Sequence, residues 1–205
     1  MAISINGSTN VISGVAVGGL PDGIVDTDML AADAVTAAKT TVAGITMMDQ
    51  WRLANNIGLG ANTTAGLYSN WERNDNNFAQ IGSGMTESSG VFTFPVTGIY
   101  RVDCRWNVFN ASTNNRYVSV RTELSTDGGS NYSVIANAIT NLPNLGETID
   151  HATCDFVVDV TNPSNFKIRT LASSNEAFTF AGNQWGGIAA NSQTCSMTFM
   201  KLGDT

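Results

Sequence analysis

Residues 90–110, GVFTFPVTGIYRVDCRWNVFN, constrain this chain more than any other stretch. Two alternating apolar runs, 91–94 and 99–109, are split by Pro95-Val96-Thr97-Gly98. Alternation over such a length is the period-2 mark of a strand with one buried face, and proline with glycine marks the corner between two strands. In the second run Val102, Cys104, Trp106 and Val108 point one way, while Arg101, Asp103, Arg105 and Asn107 point the other. The first face is core. The second sets Arg, Asp and Arg in a row, and two settings suit it: solvent, or a contact between subunits. Arginine is enriched where protein surfaces meet and pairs bidentately with carboxylates. Arg101, Asp103 and Arg105 are therefore candidate interface residues.

The 205 residues suffice for one β-sandwich or barrel with a sizeable core and a smaller appendage. Only 13% are charged, and Asn, Thr, Ser, Gly and Ala are abundant, which suits a β-rich protein with a hydroxyl and amide surface. A net charge of −7 argues against nucleic acid, whose phosphates call for a basic surface, and against an anionic membrane. The N-terminus has no basic, apolar secretory pattern, and no apolar run reaches the ~18 residues of a membrane span. Folding in a reducing cytosol is the expectation. Cys104, Cys154 and Cys195 lie in expected strands, odd in number and without CxxC spacing, and so read as small buried hydrophobes.

Three regions follow from the chain in order. Residues 1–46 alternate in short pieces broken by Asn-Gly, Ser-Gly and Gly-Gly, with too little apolar surface for a core of their own. Within them, residues 26–39 (DTDMLAADAVTAAK) predict a helix capped by Asp26, with Leu30, Ala34, Val35 and Ala38 on one narrow face suited to docking or self-association. Residues 47–64 predict a short helix, opened by a capping box of Thr46 and Asp49 and ending near Asn55-Asn56, then a linker. From residue 65 to 205 the pattern is all-β. Expected strands are 65–72, 78–81, the pair above, 116–125, 132–139, 151–160, 166–171 and 195–202, with a loop over 82–90. Asp127-Gly128-Gly129 supplies a hairpin turn, and Asn162-Pro163 another. Such spacing predicts a two-sheet antiparallel sandwich of jelly-roll type.

No constellation for catalysis emerges. His151 is the one histidine and reads as a surface residue at a strand start; GxSxG is absent. The acidic pairs Glu72 with Asp75 and Glu147 with Asp150 read as solvated loop charges rather than glycosidase carboxylates. Residues 74–77 and 22–28 are oxygen-rich but lack calcium-loop spacing, and turn chemistry accounts for them. No enzyme activity, metal or cofactor is expected. Trp185, in a Gly-flanked loop beside Asn183 and Gln184, has two readings: stacking on a sugar ring, or folding over a core edge.

Two resemblances add to this. Phe92, five residues, Gly98, one residue and Tyr100 resemble the Phe-x5-Gly-x-Tyr signature of the tumour necrosis factor and complement globular-head superfamily, with Val102 and Cys104 where that family commonly has aromatics. This implies a jelly-roll head over residues 65–205 and a homotrimer, with Arg101, Asp103 and Arg105 as candidate trimer-interface residues. The stretch GVAVGGLPDGIVDTDMLAADAVTAAK is similar to segments of tailed-bacteriophage fibre and spike proteins. That implies a virion structural protein: residues 1–46 docked on another virion protein, the head outward towards a host-surface glycan or protein. A capsid cement protein, or a free trimeric lectin-like binding protein, are the alternatives.

Overall fold

The chain divides into two units, Met1–Gly44 and Ile45–Thr205. The computed structural model describes residues 4–6, 11–13, 44–74, 78–110, 114–143, 148–182 and 193–205. In the first unit β1 (Ser4–Asn6) pairs antiparallel with β2 (Val11–Ser13), Ile5 opposite Ile12, in keeping with the strand-and-turn reading of this region. The helix expected over residues 26–39, with Leu30, Ala34, Val35 and Ala38, lies outside the described residues.

The second unit holds β3 (Met48–Leu53), β4 (Ile57–Leu59), β5 (Thr64–Gly66), β6 (Trp71–Arg73), β7 (Thr86–Ser88), β8 (Val91–Thr93), β9 (Gly98–Asn110) and β10 (Asn115–Ser125). After these come β11 (Ser133–Leu142), β12 (Thr148–Val160), β13 (Lys167–Ser174), β14 (Phe178–Phe180) and β15 (Ser196–Gly203). All pairings are antiparallel, in two sheets.

Each sheet is built on one long strand. In the seven-stranded sheet β12 lines one edge of β9 along its whole length, while β15 and β14 share the other edge; β3 and β6 extend beyond β15, and β4 beyond β14. In the six-stranded sheet β10 and then β11 lie on one side of β13; β8 and β5 share the other, and β7 pairs with β8. The alternation along β9 holds: Tyr100, Val102, Cys104, Trp106 and Val108 are buried on one face. They meet Phe92, Val118, Val120, Ile168 and Ala172 of the other sheet in one core. Aromatic rings fill its centre edge to face, with Trp71 5.2 Å from Phe92 and 6.0 Å from Trp106.

The Phe-x5-Gly-x-Tyr residues have structural work. Phe92 is sealed in the core. Gly98 takes φ +148° at the start of β9, where a Cβ would sit 2.7 Å from the Gly203 carbonyl oxygen and 2.2 Å from Lys201 Cε, so only glycine fits. Tyr100 is buried, and its hydroxyl donates to the Val96 carbonyl at 3.0 Å, satisfying the one polar atom it brings inside.

Several expectations need correction. Residues 47–64 belong to the sandwich: the short helix is instead strand β3, and β4 stands in the expected linker. Met47, Asp49, Trp51 and Leu53 alternate inward, but a carboxylate in the apolar series disguises the period. Asp49 does not cap a helix; its side chain takes donors from Trp51 Nε1 at 2.9 Å, the Met85 amide at 2.7 Å and Arg73 Nε at 3.0 Å. Residues 65–72 carry the ends of two strands, β5 and β6, rather than one. The 78–81 strand reduces to a single bridge between Met48 and Ile81. The loop over 82–90 contains β7, joined to β8 by Ser89-Gly90, both at positive φ, the twist that a two-residue hairpin of this hand demands.

Candidate interaction surface

The second face of β9 is exposed, and β12 doubles it. Because the two strands pair along their whole length, outward residues stand in opposed pairs: Val157 with Arg101, Asp155 with Asp103, Thr153 with Arg105, His151 with Asn107. Like charges directly opposite repel, as Asp103 and Asp155 do. Arg101 resolves this: it lies 2.9 Å from Asp103 and 3.6 Å from Asp155. The hydrogen bond to Asp103 first, then the charges of both aspartates, raise the Arg101 pKa further above its usual value. Arg105 is exposed and makes no ion pair among the described residues.

Around these charges stand apolar side chains that face out. Val157 is 61% exposed and Ile149 46% exposed on β12, whereas Ile139 of β11 is exposed on the outer face of the other sheet. The two strands belong to different sheets yet are tied, since the Thr140 hydroxyl donates to Asp150. Two shallow depressions lie on the β9–β12 face. One is lined by Arg105, Asn107, Ile149, Asp150, His151 and Thr153, the other by Gln50, Asp103, Asp155 and Thr198 among others. A compensated ion cluster with exposed Val157 beside it, Ile149 further along β12 and the unpaired Arg105 on the same face is suited to a protein contact.

Arg101, Asp103 and Arg105 are thus brought together on one surface. The β12 contribution was missed as a contact, although the inward series Cys154, Phe156 and Val158 already implies Thr153, Asp155 and Val157 outward. Trp185 lies outside the described residues, as do Asp75 and Glu147. Glu72 is ion-paired with Arg52 across β6 and β3. His151 is exposed, 3.7 Å from Asp150. Among the described residues no three His, Cys, Asp or Glu side chains gather as a metal site, and no helix is long and apolar enough to cross a membrane. Of the cysteines read as buried, Cys104 and Cys195 are so, but Cys154 is half-buried.

Two facing antiparallel sheets in this strand order, with Phe92, Gly98 and Tyr100 packed as described, define an all-β jelly roll of the tumour necrosis factor type. Solved structures with this fold are similar to it. Eiger, a tumour necrosis factor from S. frugiperda, superposes with a TM-score of 0.57 at 8% identity, over 79% of this chain and 96% of that one. Murine APRIL, crystallised at pH 5.0, gives 0.52 at 11% identity, over 76% and 98%. No protein-family model and no curated protein sequence matches the chain.

Proposed function

We propose that this protein is a non-enzymatic, homotrimeric binding head displayed on a tailed-phage particle, anchored through residues 1–46 and attaching to a host surface through the jelly roll. The observation that carries the reading is the β9–β12 face, with its Arg101–Asp103–Asp155 cluster, exposed Val157 and Ile149, and unpaired Arg105. A threefold contact through it gives each exposed aliphatic group a partner surface and Arg105 a carboxylate to meet. The fold likeness supports a head of this kind, and the Asp-, Ala- and Val-rich N-terminal segment supports the virion setting. Three heads side by side turn weak single sites into high avidity for a repetitive surface.

The test has two readouts. The native mass of the purified chain should be that of three copies, and antibody-gold against the head should label the purified particle. Label on the tail supports adsorption; label on the shell supports a head fibre or a cement protein, and cement is distinguished by shells that burst sooner when the protein is missing. A mass of one chain removes the trimer, and an unlabelled particle removes the virion role. In that last case a free trimeric binding protein, which the likeness to Eiger and APRIL favours, becomes the reading to test.

A further inference from the structure

The register of β9 and β12 places Cys104 directly opposite Cys154, both on the inward face. Opposed residues of an antiparallel pair have Cα atoms about 4.5 or 5.5 Å apart, depending on whether backbone bonds join them. A disulfide accepts Cα separations of roughly 4.4–6.8 Å, so either spacing allows a bond after side-chain rotation and a small closure of the strands. Both thiols are free, and they interact. Cys104 is enclosed, with its Sγ 3.8 Å from the Thr122 hydroxyl. Its hydrogen-bonding contact with Cys154 is the first reason its pKa stands well above the usual thiol value, burial the second. Cys154 is half-buried on a strand that pairs with β9 alone. The same contact, seen from its side, pulls its pKa below the usual value. One thiol is reachable and inclined to ionise, and its neighbour is sheltered; an attacking and a resolving sulfur differ in this way. Cys195 is a built-in contrast: fully buried, bonded to both the amide and the carbonyl of Asn107 at 3.3 Å, and pushed up to about 12 by burial.

We propose that Cys154 and Cys104 form a reversible thiol–disulfide site whose co-substrate is a small disulfide of the glutathione class. The Cys154 thiolate attacks one sulfur of the small disulfide, breaking its S–S bond, releasing one small thiolate and leaving a mixed disulfide on Cys154. The Cys104 sulfur then attacks the Cys154 sulfur, forming the intrachain bond and expelling the second small thiol. The two cysteines are oxidised, the small disulfide is reduced to two thiols, and these take up the two cysteine protons. The bond joins the middle strand β9 to the edge strand β12 directly beneath Asp103, Arg105, Thr153 and Asp155, so the redox state sets how firmly the two halves of the candidate surface are held together.

The full chain, purified under reductant, is exposed to oxidised glutathione, quenched with N-ethylmaleimide, denatured and digested with trypsin. Cleavage after Arg101, Arg105, Arg121 and Lys167 puts Cys104 on peptide 102–105 and Cys154 on peptide 122–167. The expected product is these two peptides linked, lighter by two hydrogens than their sum, and separated again by dithiothreitol. Heat unfolding of the oxidised chain should shift up by roughly 5 °C. Cys104→Ala should stop at glutathione on Cys154, Cys154→Ala should give neither product, and Cys195→Ala should still form the link. The proposal is overturned if the wild-type chain keeps glutathione on Cys154 without passing it to Cys104, links only between chains, or leaves both thiols to the maleimide.

Discussion

The Asp49 carboxylate has no contact with water, and five donors converge on it: the Gln50 and Met85 amides, Trp51 Nε1, and Nε and Nη2 of Arg73. Arg73 also lies over the Trp51 ring, 4.5 Å from its centre. One side chain thereby ties β3 to β6 and to the approach of β7. A buried charge with a full set of partners is costly to disturb, because every donor it served is left unmet. Asp49→Asn cancels the charge facing Arg73 and turns one acceptor into a donor among donors. A loss of about 3 kcal/mol is expected, seen as a lower urea midpoint with an unchanged slope. The same residue shows why the sequence misleads here. In a local window Thr46 and Asp49 have the spacing of a helix cap; the partners that make Asp49 a core residue lie 24 and 36 positions away, at Arg73 and Met85.

At the scale of the element, hairpins were legible where the turn chemistry is local and strong. Asp127-Gly128-Gly129 joins β10 to β11 as expected, with both glycines at positive φ. Asp127 organises the turn: Oδ1 accepts from the Asn131 amide at 2.9 Å and the Ser125 hydroxyl at 2.8 Å, and Oδ2 from Asn131 Nδ2 at 2.7 Å. These bonds, the Asn131 amide first, lower the Asp127 pKa to about 2. A carboxyl held below its unfolded value of about 3.9 contributes stability that is complete above that value and disappears as the pH falls towards 2. Amide exchange at Asn131 should therefore accelerate over that acid window, and Asp127→Asn should remove this pH dependence. Short strands were legible only in part. β4, β7 and β14 have three residues each, too few to show a period, and their existence rests on partners far along the chain.

At the scale of the whole molecule, the class of fold was readable because Phe92, Gly98 and Tyr100 keep a fixed spacing across one corner, and that corner positions both sheets. The candidate surface was half readable. β9 announces its outward Arg101, Asp103 and Arg105 by alternation, but the register that sets β12 beside it is a long-range pairing that no local pattern encodes. If that face joins three copies, a charge at its apolar margin breaks the assembly without harming the fold. Val157 is exposed in the single chain, so Val157→Lys should leave the circular dichroism of the head unchanged. The native mass should fall from three chains to one, since a lysine pressed into a dry contact lacks a partner.

The strand between β9 and β3 in the seven-stranded sheet is β15, which lies far later in the chain than either of its neighbours. A ribosome releases β3 and β9 long before residues 196–203 leave its tunnel, and for that interval the flanks that β15 will join have no neighbour. Open flanks on apolar strands are templates for other chains. Synthesis therefore leaves a slot in the middle of the sheet until residues 196–203 emerge. A chain that stops short of residue 196 forfeits an interior strand, and crowded nascent copies have a ready way to stick to one another before that strand arrives.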